Sequence, residues 1–181
     1  MKTVAVYGSA VVRPGEPEYQ DAYEIGRALA QAGYAIMTGG YGGIMGAASQ
    51  GAAEAGGHVI GVTSRAIELL RDDQANAWVS EEIKYDTLRD RLLHLVLHAD
   101  ACVVMPGGLG TLNELALSWE LGRVGDLPLR PLVCYGDFWR QMLEPLRGTR
   151  YMAPYAWEMV SFADHPGDVV ALVNGTKVAR Q

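Results

Sequence analysis

The stretch Ala101-Cys-Val-Val-Met-Pro-Gly-Gly-Leu-Gly-Thr-Leu-Asn-Glu114 passes from an apolar run into a glycine-rich turn and then into a helical pattern. The five residues 101–105 read as a buried strand, and 112–121 read as a helix. Glycines let a backbone approach a ligand closely. The first amides of the helix have no internal acceptors and sit at the positive end of its dipole, so strand, turn and helix together form the layout of an anion site. Glu114 follows Thr111 by three residues. A carboxylate would then lie about one helical turn from a phosphate held in the turn. The same spacing fits a capping box, in which Thr111 and Glu114 close the helix start. The two roles are compatible.

Outward from this stretch the same alternation recurs. Strands are predicted at 3–7, 34–37, 58–62, 101–105 and 131–135, with an edge strand at 157–162. Helices are predicted at 19–33, 44–55, 86–98, 112–121, 137–146 and 164–173. Gly33 and the Gly56-Gly57 pair stop two of them, and Asp86 or Thr87 caps a third. Asp100 caps that helix or turns the chain into the next strand. The pattern weakens over 63–84, where an apolar burst at 67–70 suggests a loop with a helical turn or two, partly covering a site. The strands are continuous apolar runs, which implies a sheet buried on both faces. The 181 residues, 49% hydrophobic and 20% charged, fit one core. The expectation is one α/β domain over 1–181, Rossmann-like and doubly wound, with a mainly parallel sheet and helices on both faces.

Three predicted strand ends carry glycine: Gly8-Ser9, Gly39-Gly40 with Gly42-Gly43, and Gly107-Gly108 with Gly110. In an open parallel sheet these loops share the carboxyl edge, where ligands bind. A dinucleotide fingerprint is absent, because the first turn is Gly8-Ser9-Ala10 and the second strand ends in Met37-Thr38 without an acid. No G-x-x-x-x-G-K-[ST] occurs either. The site therefore suits a mononucleotide better than a dinucleotide or a triphosphate. The glycines of 39–46 would serve close helix–sheet packing equally well.

The net charge of −6 leaves no basic patch for nucleic acid. No apolar run approaches the roughly 20 residues that cross a bilayer, and Met1-Lys2 leads directly into a strand rather than a signal sequence. A cytoplasmic protein is expected, with Cys102 and Cys134 as buried free thiols. His94 and His98 share a helix face at metal-ligand spacing, but no H-E-x-x-H and no third ligand accompany them. Packing or surface roles are expected, and no metal. Trp119, Trp139 and Trp157 read as core or subunit-interface anchors rather than base-stacking platforms. Arg91 is a charge on a helix face, solvated or functional.

The pattern P-G-G-x-G-T-x-x-E, with Arg91 nine residues before Asp100, resembles the Lonely Guy (LOG) family, cytokinin riboside 5′-monophosphate phosphoribohydrolases long labelled lysine decarboxylases. Further matches are Gly8-Ser9, Gly39-Gly40 with Gly43-Ile-Met45-Gly46, and Gly56-Gly57-His-Val-Ile-Gly-Val62; the resemblance covers about 3–146. It implies a phosphate site at Pro106, Gly107, Gly108, Gly110 and Thr111, supported by Gly8, Ser9, Gly39, Gly40, Gly43 and Met45. It further implies that Glu114 is the catalytic acid, that Arg91 is its catalytic arginine, that no cofactor is used, and that the protein is a homodimer. The substrate implied is a nucleoside 5′-monophosphate, split to free base and ribose 5-phosphate. The alternative is a non-catalytic carrier of a nucleotide or phosphorylated cofactor, as in molybdenum cofactor carriers, which share the glycine turn. The chain departs from the family pattern at Leu92, where lysine is usual, at Arg89-Asp90 in place of His-Glu, and at Leu117 in place of a second glutamate. Lysine decarboxylation is rejected, because a pyridoxal phosphate enzyme needs a Schiff-base lysine. Lys2 and Lys177 lie near the termini, and Lys84 sits away from the glycine loops.

Overall fold

The computed structural model describes residues 1–71 and 73–175. Seven strands form one sheet: β1 (Thr3–Tyr7), β2 (Ala35–Thr38), β3 (Val59–Ser64), β4 (Glu81–Tyr85), β5 (Ala101–Val104), β6 (Leu132–Tyr135) and β7 (Val160–Ala163). Their order is β4-β3-β2-β1-β5-β6-β7, and every pairing is parallel. The helices are α1 (Pro17–Gln31), α2 (Ile44–Glu54), α3 (Arg65–Arg71), α4 (Leu88–Leu97), α5 (Leu109–Val124), α6 (Asp137–Leu143), α7 (Pro154–Trp157) and α8 (Pro166–Val173). The doubly wound α/β expectation holds. The chain runs outward from β1 to one edge, then returns to β1's other side at β5. That reversal is the switch point at which such sheets bind ligands.

Side chains alternate across each strand, and each set meets its own helices. Val4 and Val6 pack with Ile25 and Leu29 of α1, Ala48 of α2 and Val169 of α8. Ala5 and Tyr7 pack on the opposite face with Leu95 of α4, Leu115 of α5 and Trp139 of α6. Cys102 and Cys134 are free and buried; burial pushes the Cys134 thiol up to about 12, which leaves it an unreactive apolar filler. Trp119 and Trp139 are core residues whose indoles donate to the Ala156 and Met105 carbonyls. Among the described residues no helix is long and apolar enough to cross a membrane.

Four sequence expectations are corrected. The two helical turns expected within segment 63–84 are present as α3, but the segment is not otherwise loop, since it runs into an edge strand, β4. The sequence Glu81-Glu-Ile-Lys-Tyr85 shows no apolar run because β4 is largely exposed, and Lys84 on an edge guards it against stray pairing. The expected strand at 157–162 begins later, because Pro154 starts a helical turn that runs through Trp157. The helix expected to open at 112 starts at Leu109, with Gly108 as its N-cap. The 137–146 helix finishes as a 3-10 turn over Glu144–Leu146. Of the two candidate caps, Thr87 is the one used: its hydroxyl accepts from the Asp90 amide at 3.1 Å. Asp100 accepts from the Thr3 amide at 2.7 Å, so it pins the start of β5 to β1.

Helices α1 and α2 approach to backbone contact. A Cβ on Gly26 would strike the Ala48 carbonyl, and one on Gly51 would strike the Tyr23 carbonyl. Gly26→Ala should therefore cost about 1–3 kcal/mol, read as a lower urea midpoint at unchanged slope. Gly167→Ala in α8, where a Cβ meets nothing within 4 Å, should cost nothing; equal losses at both sites would show that the close approach is not what matters.

Candidate active site

The three glycine loops converge at the switch point, and Ser9 joins them. Its amide donates to the Pro106 carbonyl at 3.0 Å, and its carbonyl accepts from the Ile44 amide at 2.9 Å, at the start of α2. Gly8 permits this approach, because a Cβ there would overlap the Ile44 side chain. Above the loops lies a cleft of about 440 Å³, lined by β1's end and its loop, Gly39, Tyr41, Met45, Ile67, Leu70, Leu88, Arg91, and residues of α5 through Glu114.

One wall is the start of α5. Leu112 is the first residue of α5 whose amide returns to Gly108, at 2.9 Å. The amides of Leu109, Gly110 and Thr111 precede any intrahelical acceptor, and these residues line the cleft. Gly108 and Gly110 would carry a Cβ into open space. Gly107 has a different role, since a Cβ there would collide with the Thr111 side chain and push it out of place. Because Gly108 caps the helix, Thr111 and Glu114 do not form its capping box. Glu114 lies in the second turn, buried and turned to the cleft.

The other wall holds Arg91, only 6% exposed and so not a solvated charge on a helix face. Its Nε donates to the Val62 carbonyl at 2.7 Å, and Nη2 donates to the Gly39 carbonyl at 3.0 Å. The Tyr41 ring lies 5.6 Å from its Cζ, within cation–π range. Gly39 must lack a side chain, because a Cβ would overlap Arg91 Nη2. Nη1 stands 4.0 Å from Glu114 Oε1. That distance is too long for a hydrogen bond, so Arg91 acts on the carboxylate through its charge. Burial pushes the Glu114 carboxyl up to about 7, and Arg91 opposes this by pulling it down. A carboxylate so poised can exchange a proton near neutral pH.

Of the residues singled out from sequence, the cleft brings together Gly8, Ser9, Gly39, Met45, Arg91, Gly108, Gly110, Thr111 and Glu114. Gly40, Gly43, Pro106 and Gly107 lie behind this lining and shape it. Gly43 is the N-cap of α2, with φ of 66°. Tyr41, Ile67, Leu70, Leu88 and Asn113 were not singled out individually, although the apolar burst at 67–70 had suggested cover for a site. Asn76 was also missed: its side-chain amide donates to the Gly40 and Tyr41 carbonyls, both at 3.0 Å, and holds the second glycine turn. His94 and His98 stack at 4.0 Å, with His94 Nδ1 2.8 Å from the Tyr85 hydroxyl. Among the described residues no group of three or more metal-ligating side chains occurs.

A family model described as the SLOG cluster4 family matches residues 1–126. The chain is 34% identical to a Mycobacterium tuberculosis protein named cytokinin riboside 5′-monophosphate phosphoribohydrolase, over 93% of this chain and 91% of that one. A Mycobacterium marinum protein of the same name is 32% identical over the same shares. Among solved structures, the molybdenum cofactor binding protein of the phototrophic bacterium Rippkaea orientalis superposes with a TM-score of 0.73 at 25% identity, covering 97% of both chains.

The raised Glu114 carboxyl makes stability depend on pH. The folded protein holds this proton up to about pH 7, whereas the unfolded chain releases it near 4.5. The group's contribution is complete below 4.5 and is lost as pH rises through 7. The interval corresponds to about 3 kcal/mol. Glu114→Gln should therefore raise the melting temperature clearly at pH 8 and little at pH 5. Equal shifts at both pH values would show that the carboxyl is not raised.

Proposed function

Since the chain belongs to the SLOG cluster4 family, we propose that it hydrolyses the N-glycosidic bond of nucleoside 5′-monophosphates, cytokinin nucleotides among them, releasing free base and ribose 5-phosphate. The observation that carries this reading is the buried Arg91–Glu114 pair at 4.0 Å, which lines the same cleft as the open first turn of α5. The phosphate takes the amides of Leu109, Gly110 and Thr111, at the positive end of the helix. The ribose then lies beside Glu114, one turn on. As the C1′–N bond breaks, its electron pair leaves with the base and positive charge spreads over C1′ and the ring oxygen. The Glu114 carboxylate stabilises that charge and takes a proton from the attacking water, whose oxygen bonds to C1′. The departing base takes up a proton from solvent and Glu114 returns its own, so the water is divided between the two products. Arg91 has Nε and Nη2 turned to backbone carbonyls, so it serves as the fixed charge that keeps Glu114 ionised more than as a phosphate clamp. No step needs a metal or cofactor. The names of the curated relatives support the same chemistry.

A second reading has a specific observation behind it, the likeness to the molybdenum cofactor binding protein: a carrier of a phosphorylated cofactor would use the same amides without needing an acid. Incubation with AMP and with isopentenyladenosine monophosphate distinguishes the two. The hydrolase releases free base, whereas the carrier binds tightly and releases none. For the hydrolase, activity rises with pH through about 7, since the ionised carboxylate is the working form. Glu114→Gln should lower kcat by about 100-fold or more with nucleotide affinity little changed. Full turnover in that variant would mean that another group is the acid.

We further propose that two copies pack through α4 and α5, where Leu93, Leu97 and Val124 are exposed. Light scattering should give twice the chain mass, and Leu93→Glu combined with Leu97→Glu should give the monomer. A wild-type monomer would dismiss the dimer.

A further inference from the structure

Tyr41 is only 1% exposed yet lines the cleft, and its two ends grip different parts of it. The hydroxyl closes two hydrogen bonds on one residue's backbone, donating to the Ser64 carbonyl at 3.1 Å and accepting from the Ser64 amide at 2.9 Å. Ser64 is the last residue of β3, and α3 begins at the next position. The Ser64 hydroxyl in turn accepts from the Ile67 amide at 3.4 Å. The phenol therefore fixes where α3 leaves the sheet, and α3 brings Ile67 and Leu70 into the cleft. The ring, meanwhile, faces the Arg91 guanidinium. Arg91 grips the same strand two residues upstream, at the Val62 carbonyl. Asn76 holds the Tyr41 backbone from outside α3, so Tyr41 itself stays seated when its hydroxyl is removed; the Glu68–Lys84 pair at 3.0 Å keeps α3 attached to β4 while its start loosens.

We propose that Tyr41 is a positioning and specificity-determining residue with separable halves. Its ring orients Arg91 against Glu114, and its hydroxyl sets the apolar wall of α3 that receives the base. This rests on the hydrolase reading. The assignment of the wall follows from chemistry: phosphate needs the amides of α5, while Ile67 and Leu70 offer only apolar surface, which suits the flat base.

The test compares Tyr41→Phe, which keeps the ring, with Tyr41→Leu, which removes it, both checked for cooperative melting. In Tyr41→Phe, amide hydrogen exchange across α3 should rise about tenfold with α4 unchanged. KM for isopentenyladenosine monophosphate should rise about tenfold with kcat within about twofold. In Tyr41→Leu, kcat should fall about tenfold or more, and the acid limb of the pH profile should move upward because Arg91 no longer holds Glu114 down as strongly. If Tyr41→Phe lowers kcat at unchanged KM, or leaves α3 exchange unmoved, the division of roles is wrong. An unmoved acid limb in Tyr41→Leu removes the ring's role. If Tyr41→Leu does not fold, Tyr41→Phe decides alone. Wild-type protein that releases no base defeats the hydrolase reading; AMP affinity by calorimetry, with α3 exchange, then still decides the Tyr41 anchor.

Discussion

A guanidinium removed from water organises the carboxyl edge of this sheet. Burying a charge of that kind is expensive unless carbonyls, a ring face or a counter-charge replace the lost hydration. Arg91 draws on all three: the Val62 and Gly39 carbonyls, the Tyr41 ring, and the Glu114 carboxylate. These partners come from β3, the loop after β2, and α5. The arginine itself rides on α4, so one side chain fixes the relative placement of four segments. Gly39 has no Cβ for the same reason. The requirement is mutual, since the carbonyls that receive Arg91 are available only where strands end and their ladders stop.

Glu114 shows how burial and charge compete at one atom. Desolvation alone would leave it protonated and inert as a base, while a tight ion pair would lower it into the ordinary carboxylate range. The 4.0 Å separation from Nη1 sits between these limits, and the carboxyl ends near neutrality. The protein gives up stability at alkaline pH for that placement. Such trades are characteristic of sites kept for chemistry rather than for folding.

Much of this could be read from the chain. The apolar runs of β1, β2, β3, β5 and β6 announced a buried parallel sheet, and the glycine clusters marked their ends. What escaped had physical reasons. β4 carries Glu81, Glu82 and Lys84 because an edge strand needs no apolar run. Thr111 and Glu114 have capping-box spacing, but the helix starts two residues before Thr111, where Gly108 can cap it. Asn76 and Tyr41 each act through a pair of side-chain hydrogen bonds to backbone groups far away in sequence, and such bonds leave no periodic trace. Arg91 stood out through the resemblance of its surroundings, yet its carbonyl partners at Val62 and Gly39 follow only from three-dimensional proximity.

The strand order carries a consequence for how the cleft comes into being. β1 comes first in chain order among the seven strands of the sheet and lies at its centre, with β2 on one side and β5 on the other. A chain emerging from synthesis can zip β1 through β4 together once residues 3–85 are available. One flank of β1 then stays open until residues 101–104 arrive. Ser9 must wait for Pro106, and Arg91 for Glu114. Long-range parallel pairing of this kind is slow, so the cleft is complete only after the central gap closes. Without residues 101–104, β1 would present an unpaired central flank, the kind of open edge that pairs with other chains.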